Sequence, residues 1–314
     1  MRPSLGCGNQ PTQPLGGAKV LSKNRRPSFK RREAWAGFLF ALPAMALFLL
    51  FAVYPIVRTF YLSFFDYNML VKPKFLGLGN YKALIGDSLF WQSVRATLFY
   101  LVATYVPAII LALLLAIALN RDFKLRGLFR SLYFTPVVMS MVVVSVIWKL
   151  LFNYRGLLNE LLSYIGIGPI TWLTGSAYAP WALAIMSIWK VFGYYMVIYL
   201  AGLQGIPTEI KEAAHIDGAN SWQTFRDITL PLIRPITVFV VTMSILTGLQ
   251  EFTAQYVMTG GGPSGATRVL ALLIYETGFN FMRMGKASAI SMMLFVMLLG
   301  AAFWQRQWLG LNDY

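Results

Sequence analysis

Two ionisable residues stand inside stretches that are otherwise apolar: Lys190 within roughly 179–203, and Glu251 within roughly 235–256. An isolated charge at a bilayer centre costs roughly 2.5–3.5 kcal/mol on insertion scales, so each of them calls for a partner or a task. One reading makes the two a structural ion pair at matching depth. The other starts from helical spacing, which puts Ser244, Thr247 and Glu251 on one face at i, i+3 and i+7, with Gly248 leaving room beside them. Such a polar stripe suits the wall of a pathway for a hydroxyl-rich solute. A carboxylate accepts strong hydrogen bonds from hydroxyls, and Tyr194 offers a ring to an apolar face of the same solute.

Other chemistry lacks its residues. A nucleotide-hydrolysing chain needs G-x-x-x-x-G-K-[ST], and the nearest approach, Asn280 to Ala287 around Gly285-Lys286, lacks both the first glycine and the hydroxyl. H-E-x-x-H, G-x-S-x-G and Cys/His clusters are missing too, so the chain reads as no enzyme. His215 is the single histidine, with no second ligand in view, and reads as a solvated loop residue. Cys7, the single cysteine, lies in a Gly/Pro-rich stretch and cannot close an internal disulfide. The net charge of +15 does not gather into one patch but falls in short segments between apolar runs, which excludes nucleic acid as a partner.

The elements that must carry these groups follow from composition. Hydrophobic residues make up 57% of 314 positions and charged ones 12%, with a mean hydropathy of +0.60, which is a membrane balance. A spanning helix needs about 20 apolar residues. Uncharged runs occur at 34–57, 96–120, 131–148 and 287–305, the third lengthened by Lys149 snorkelling from a helix end. With the two interrupted stretches around Lys190 and Glu251, the total is six spans. The first run follows Arg25, Arg26, Lys30, Arg31 and Arg32 as a signal core would, yet it is too long for one and lacks an Ala-x-Ala exit. Lys and Arg divide sixteen to eight between alternate connecting segments, which places both termini and the 204–234 loop in the cytoplasm.

That loop reads as a helix-turn-helix. Pro207 suits a helix start, Glu209 and Glu212 favour its early turns, and Gly218 can take the left-handed conformation that ends it. Asn220 or Ser221 then caps a second helix from Trp222 to Leu230, confined by Pro231 and Pro235. Ile210, Ala213 and Ala214 share a face from which Glu212 points away. From the residues alone, this is either a peg for a socket on a partner or an interfacial helix resting on lipid headgroups.

Glu212-Ala213-Ala214, Asp217-Gly218-Ala219, Phe225, Ile228, Leu230-Pro231 and Pro235 resemble, in type and spacing, the EAA signature of ABC-importer permeases. Leu78-Gly79-Asn80-Tyr81, Thr135-Pro136, Gly156-Leu157-Leu158-Asn159, Ala201-Gly202-Leu203-Gln204 and Gly260-Gly261-Gly262-Pro263 look like landmarks of the maltose and glycerol-phosphate type. The resemblance implies an all-α integral membrane fold of six transmembrane helices, the type I importer domain. A disordered basic cytoplasmic tail is expected over 1–33 and the permease domain over 34–314, with spans near 36–65, 93–119, 131–152, 179–203, 235–256 and 287–307 and a coupling loop over 205–233. It further implies that Glu212, Ala213, Ala214, Asp217 and Gly218 meet an ATPase, and that Ser187, Lys190, Tyr194, Ser244, Thr247, Gly248 and Glu251 contact substrate. The acid and the lysine depart from the neutral residues of that type.

No cofactor is expected on this chain, because ATP and Mg belong to the partner ATPase. The implied partners are a homologous second permease subunit, two ATPase subunits, an extracytoplasmic substrate-binding protein, membrane lipid and a sugar or polyol cargo. The setting is a bacterial or archaeal plasma membrane. Gly260-Gly261-Gly262-Pro263-Ser264 is expected as an external turn near the binding-protein dock rather than a phosphate cradle. Two other classes stay in view. A secondary transporter would show two related halves around broken helices, and a scaffold would need no polar groups such as Lys190 and Glu251 inside its spans.

Overall fold

The computed structural model describes residues 27–308, which fall into two compact units divided between Pro55 and Ile56. The expectations for residues 1–26, Cys7 among them, lie outside the described residues. In the first unit a helix, Pro27–Phe48, runs into a π-helical turn, Leu49–Val53. It begins inside the stretch expected as a tail to residue 33, and Pro27 fits there because the first turn of a helix has no use for the missing N–H. Phe40 is 88% exposed and Phe51 73%, as befits side chains whose solvent is lipid.

Among the described residues five helices are long and apolar enough to cross a membrane: Glu33–Leu62, Ser88–Leu119, Ala179–Gln204, Arg234–Met258 and Met284–Gln305. The bent pair Arg126–Val138 and Met141–Leu151 makes a sixth if it is taken as one span. The span expected over 131–152 is broken in the structure: its two halves meet at 98°. The cause is local. Pro136 removes an N–H from the last turn, and Met139 and Ser140 are extended at ψ 144° and 138° before the second half starts.

Within the second unit the chain is not wholly helical, because Phe65–Asp66 pairs antiparallel with Lys74–Phe75 in a two-stranded hairpin. Asn80 fastens it, its Nδ2 donating to the carbonyls of Ser63 and Phe65 at 2.9 Å each, while the Tyr81 hydroxyl donates to Ser63 Oγ at 2.7 Å. Asp87 then caps the second span by accepting from the Leu89 N–H at 2.9 Å, and its other oxygen accepts from Lys286 Nζ at 2.7 Å, which ties the second span to the sixth. Asn159 performs a similar fastening in the loop after the third span: its amide donates to the carbonyls of Tyr154 and Ile170 and accepts from the Ile170 N–H and the Trp172 indole.

Packing among the spans depends on small residues, since lipid tails supply no hydrophobic drive between helices. Ala108, Ala112 and Ala116, at four-residue spacing, are fully buried on the second span, which packs along the fourth. A Cβ at Gly193 would fall 1.9 Å from the Tyr133 carbonyl oxygen, so glycine is what lets the third and fourth spans come together.

Candidate functional site

The second, third, fourth and fifth spans line an open cavity of about 330 Å³. Lys190, Tyr194, Thr247 and Glu251 line it, together with Tyr100, Tyr105 and Tyr195. Ser187, Ser244 and Gly248 do not face it, and each has another task. Ser187 is buried and accepts a hydrogen bond from the Tyr100 hydroxyl at 2.9 Å, holding that ring in the wall. Ser244 donates to the Val241 carbonyl of its own helix at 2.8 Å. Gly248 makes room for a ring, because a Cβ there would lie 2.6 Å from Tyr105 Cε2.

The two intramembrane charges do not form an ion pair with each other; the ion pairs among the described residues lie elsewhere. Lys190 Nζ donates to the Val137 carbonyl at 2.8 Å. That carbonyl sits in the last turn before the third-span break, where helical carbonyls lack intrahelical partners and the helix dipole favours a cation. Glu251 occupies a second break, between Arg234–Gln250 and Thr253–Met258, with extended backbone at φ −72° and ψ 131°. Its carboxylate accepts from the Thr253 N–H at 2.7 Å, at a helix start where N–H groups lack partners and an anion is favoured. Each charge thus caps a broken helix and still borders the cavity. The expectation of one continuous face through Ser244, Thr247 and Glu251 is corrected accordingly, since Glu251 lies beyond the helix end and only Thr247 joins it at the wall.

The rings on the wall form a chain of edge-on contacts. Centroids of Tyr100 and Tyr105 lie 6.4 Å apart, those of Tyr105 and Tyr195 6.4 Å, and those of Tyr194 and Tyr195 5.5 Å. Sequence reasoning had Tyr194 alone. The signal for the rest was available in Tyr100 and Tyr105, two phenols deep in an otherwise aliphatic run, whose hydroxyls require partners there.

A second candidate surface is the 204–234 loop. Pro207 is the N-cap of the helix Thr208–Ile216 rather than its first residue. Gly218 has φ +82°, and the Ala219 N–H reaches the Ala214 carbonyl at 2.9 Å while the Gly218 N–H reaches the His215 carbonyl at 3.1 Å, a Schellman ending. Asn220 caps the next helix in a reciprocal box with Gln223. That helix runs on to Leu232, past the expected end at Leu230, and Thr224–Thr229 is π-helical. The apolar stripe is split: Ala214 is buried, while Ile210, Ala213 and Ile216 are exposed, as are Glu212 and Asp217. Gly260 and Gly261 have φ of +59° and +82°, the turn expected there.

Residues 108–307 match the family described as binding-protein-dependent transport system inner membrane component. The lactose transport system permease protein LacF of Rhizobium radiobacter is 38% identical over 292 residues, 91% of this chain and 97% of that one. The trehalose/maltose transport system permease protein MalF of Thermococcus litoralis is 35% identical over 281 residues, 89% and 95%. Among solved structures, a bacterial ABC transporter involved in import of the acidic polysaccharide alginate shares the fold at TM-score 0.77 and 23% identity, over 90% of this chain and 99% of that one.

Proposed function

The chain belongs to the binding-protein-dependent transport system inner membrane components, and from that premise we propose that it is the permease subunit of an ATP-binding-cassette importer carrying a sugar or polyol into the cytoplasm. The observation that carries the cargo class is the cavity, where Lys190, Glu251 and a set of tyrosines surround a space between spans. Hydroxyls donate to the carboxylate and accept from the ammonium, while the rings cover the apolar faces of a sugar. Relatives at 35–38% identity named for lactose and for trehalose and maltose support the same class.

The energy comes from a partner ATPase that binds ATP and Mg; a homologous second permease completes the pathway and an extracytoplasmic binding protein delivers cargo. Glu212, Ala213, Ala214, Asp217 and Gly218 form the surface that meets the ATPase, and the exposed Ile210, Ala213 and Ile216 give it the apolar face a socket requires. Ser187, Ser244 and Gly248 act behind the sugar-contacting wall as positioning residues. The membrane is the bacterial or archaeal plasma membrane, with both termini and this loop in the cytoplasm.

The test is ATP-driven uptake of labelled sugars by the reconstituted transporter. Glu251→Ala is expected to lower uptake by roughly tenfold or more, the loss of a charge-assisted hydrogen bond, while ATP hydrolysis stimulated by loaded binding protein persists. Restored uptake in a Lys190→Met/Glu251→Met double variant would show that the two charges only balance each other, and the sugar-contact reading would fail.

A further inference from the structure

A cavity of about 390 Å³ lies behind the helix Thr208–Ile216, against the ends of the second and fourth spans. Arg121, Lys211 and His215 line it, with Asn120 and Ser221 between them and an apolar floor that includes Leu203. No carboxylate is on its wall. The side chains of Arg121, Lys211, His215, Asn120 and Ser221 form no hydrogen bond or ion pair that would hold them for another purpose, and Thr224, also on the wall, is bonded to the Asn220 carbonyl. The acid next to Arg121, Asp122, is taken by Arg126, and Glu212 and Asp217, beside Lys211 and His215 in sequence, are exposed and off the wall.

Two cations, Arg121 and Lys211, with an imidazole beside them, give one concavity a positive potential that favours an anion among them. The free groups are mostly donors, which suits the several acceptor oxygens of a phosphate, and an Arg with a Lys is the usual pair for that group. The depth of the site is the second clue. Asn120 and Arg121 follow the last residue of the second span, and Leu203 lies in the last turn of the fourth. This is the level at which lipid phosphates lie, and basic pockets between spans at this level bind anionic headgroups. We propose that this cavity is a site for a phosphate ester, occupied by the headgroup of an anionic phospholipid, which braces the loop helix against the second span. The site stands on its own residues and does not depend on the identity of the cargo.

Native mass spectrometry of the assembled transporter, titrated with phosphatidylglycerol and with phosphatidylcholine, reads the site directly. The phosphatidylglycerol adduct is expected to weaken roughly thirtyfold in Arg121→Gln/Lys211→Gln, the contribution of two basic contacts. It should persist in Lys72→Gln/Lys74→Gln, which makes the same change in net charge away from the cavity. If the first variant fails to assemble, Arg121→Gln/Ser221→Ala replaces it with the same expected direction. A parallel thermal-unfolding titration separates the source of the phosphate: stabilisation by glucose 6-phosphate that the Arg121→Gln/Lys211→Gln change removes, with phosphatidylglycerol inert, assigns a soluble ester to the same site. Equal weakening in both double variants, equal stabilisation by succinate, or no effect of either phosphate probe overturns the proposal.

Discussion

Asp87 joins three separate demands in one carboxylate: it caps the second span, accepts the Lys286 ammonium and sits just outside the membrane segment. The Lys286 hydrogen bond, helped by the N–H of Leu89 and opposed by burial, holds its carboxyl below the ordinary value of 3.8. Because the folded-state value is depressed, the stabilisation is fully present above 3.8 and is lost as the pH falls through the folded-state value. Asp87→Asn should therefore destabilise the protein at neutral pH, by less than about 1 kcal/mol because the pair is partly solvated. The gap between parent and variant should stay constant from pH 8 to pH 5, by rough expectation for a carboxylate, and close only in stronger acid. Thermal unfolding of the detergent-solubilised transporter across that range checks it. A gap that changes between pH 8 and pH 5 would assign the effect to a group other than Asp87.

Elements differ in how far their own residues specify them. The loop helix and its successor were legible because caps are local chemistry: Asn220, Gln223 and Gly218 act on backbone groups a few residues away. The spans were legible as uncharged lengths, because hydropathy reports depth in the bilayer. It does not report continuity, and so the breaks after Val138 and Gln250 were not anticipated. What stabilises those breaks is tertiary, a lysine from another span at the first and an acid that reads as part of the helix at the second. The cavity wall was half legible, since helical spacing grouped Ser244 and Gly248 with Thr247 but did not report that the two are buried beside it, Gly248 against Leu101 and Tyr105. Two glycines separate local from tertiary specification experimentally. Gly218 has open space around it but φ +82°, so Gly218→Val should leave the protein inserted and assembled while ATP hydrolysis loses its stimulation by loaded binding protein. Gly193→Ala meets the Tyr133 carbonyl and should cost about 1–3 kcal/mol of stability, seen as a lowered unfolding temperature. Normal coupling in the first variant, or unchanged stability in the second, would contradict these assignments.

For the whole molecule, the charge distribution predicts which way the spans run. The +15 balance is carried by the connecting segments, and the sixteen-to-eight division of Lys and Arg does not rest on one loop, since the tail, the 120–130 loop and the 204–234 loop all contribute. Translocating a basic segment against the membrane potential costs about 2.3 kcal/mol per charge per 100 mV, so the basic set stays inside. The proposed orientation would put the Gly260–Ser264 turn outside; Ser264 is exposed and its carbonyl is held by the Gln92 amide at 2.6 Å. It would also put Arg121, Lys211 and His215 at the inner leaflet, whose anionic lipids match two cations. The expectation is tested in a Cys7→Ser background carrying either Ser28→Cys or Ser264→Cys. In intact spheroplasts an impermeant thiol reagent should label the second and spare the first, and permeabilised cells should label both. Labelling of Ser28→Cys without permeabilisation would invert the molecule. The loop helix with Glu212 would then lie outside, beyond the reach of any cytoplasmic ATPase, so this measurement bears on the coupling assignment as directly as on the topology.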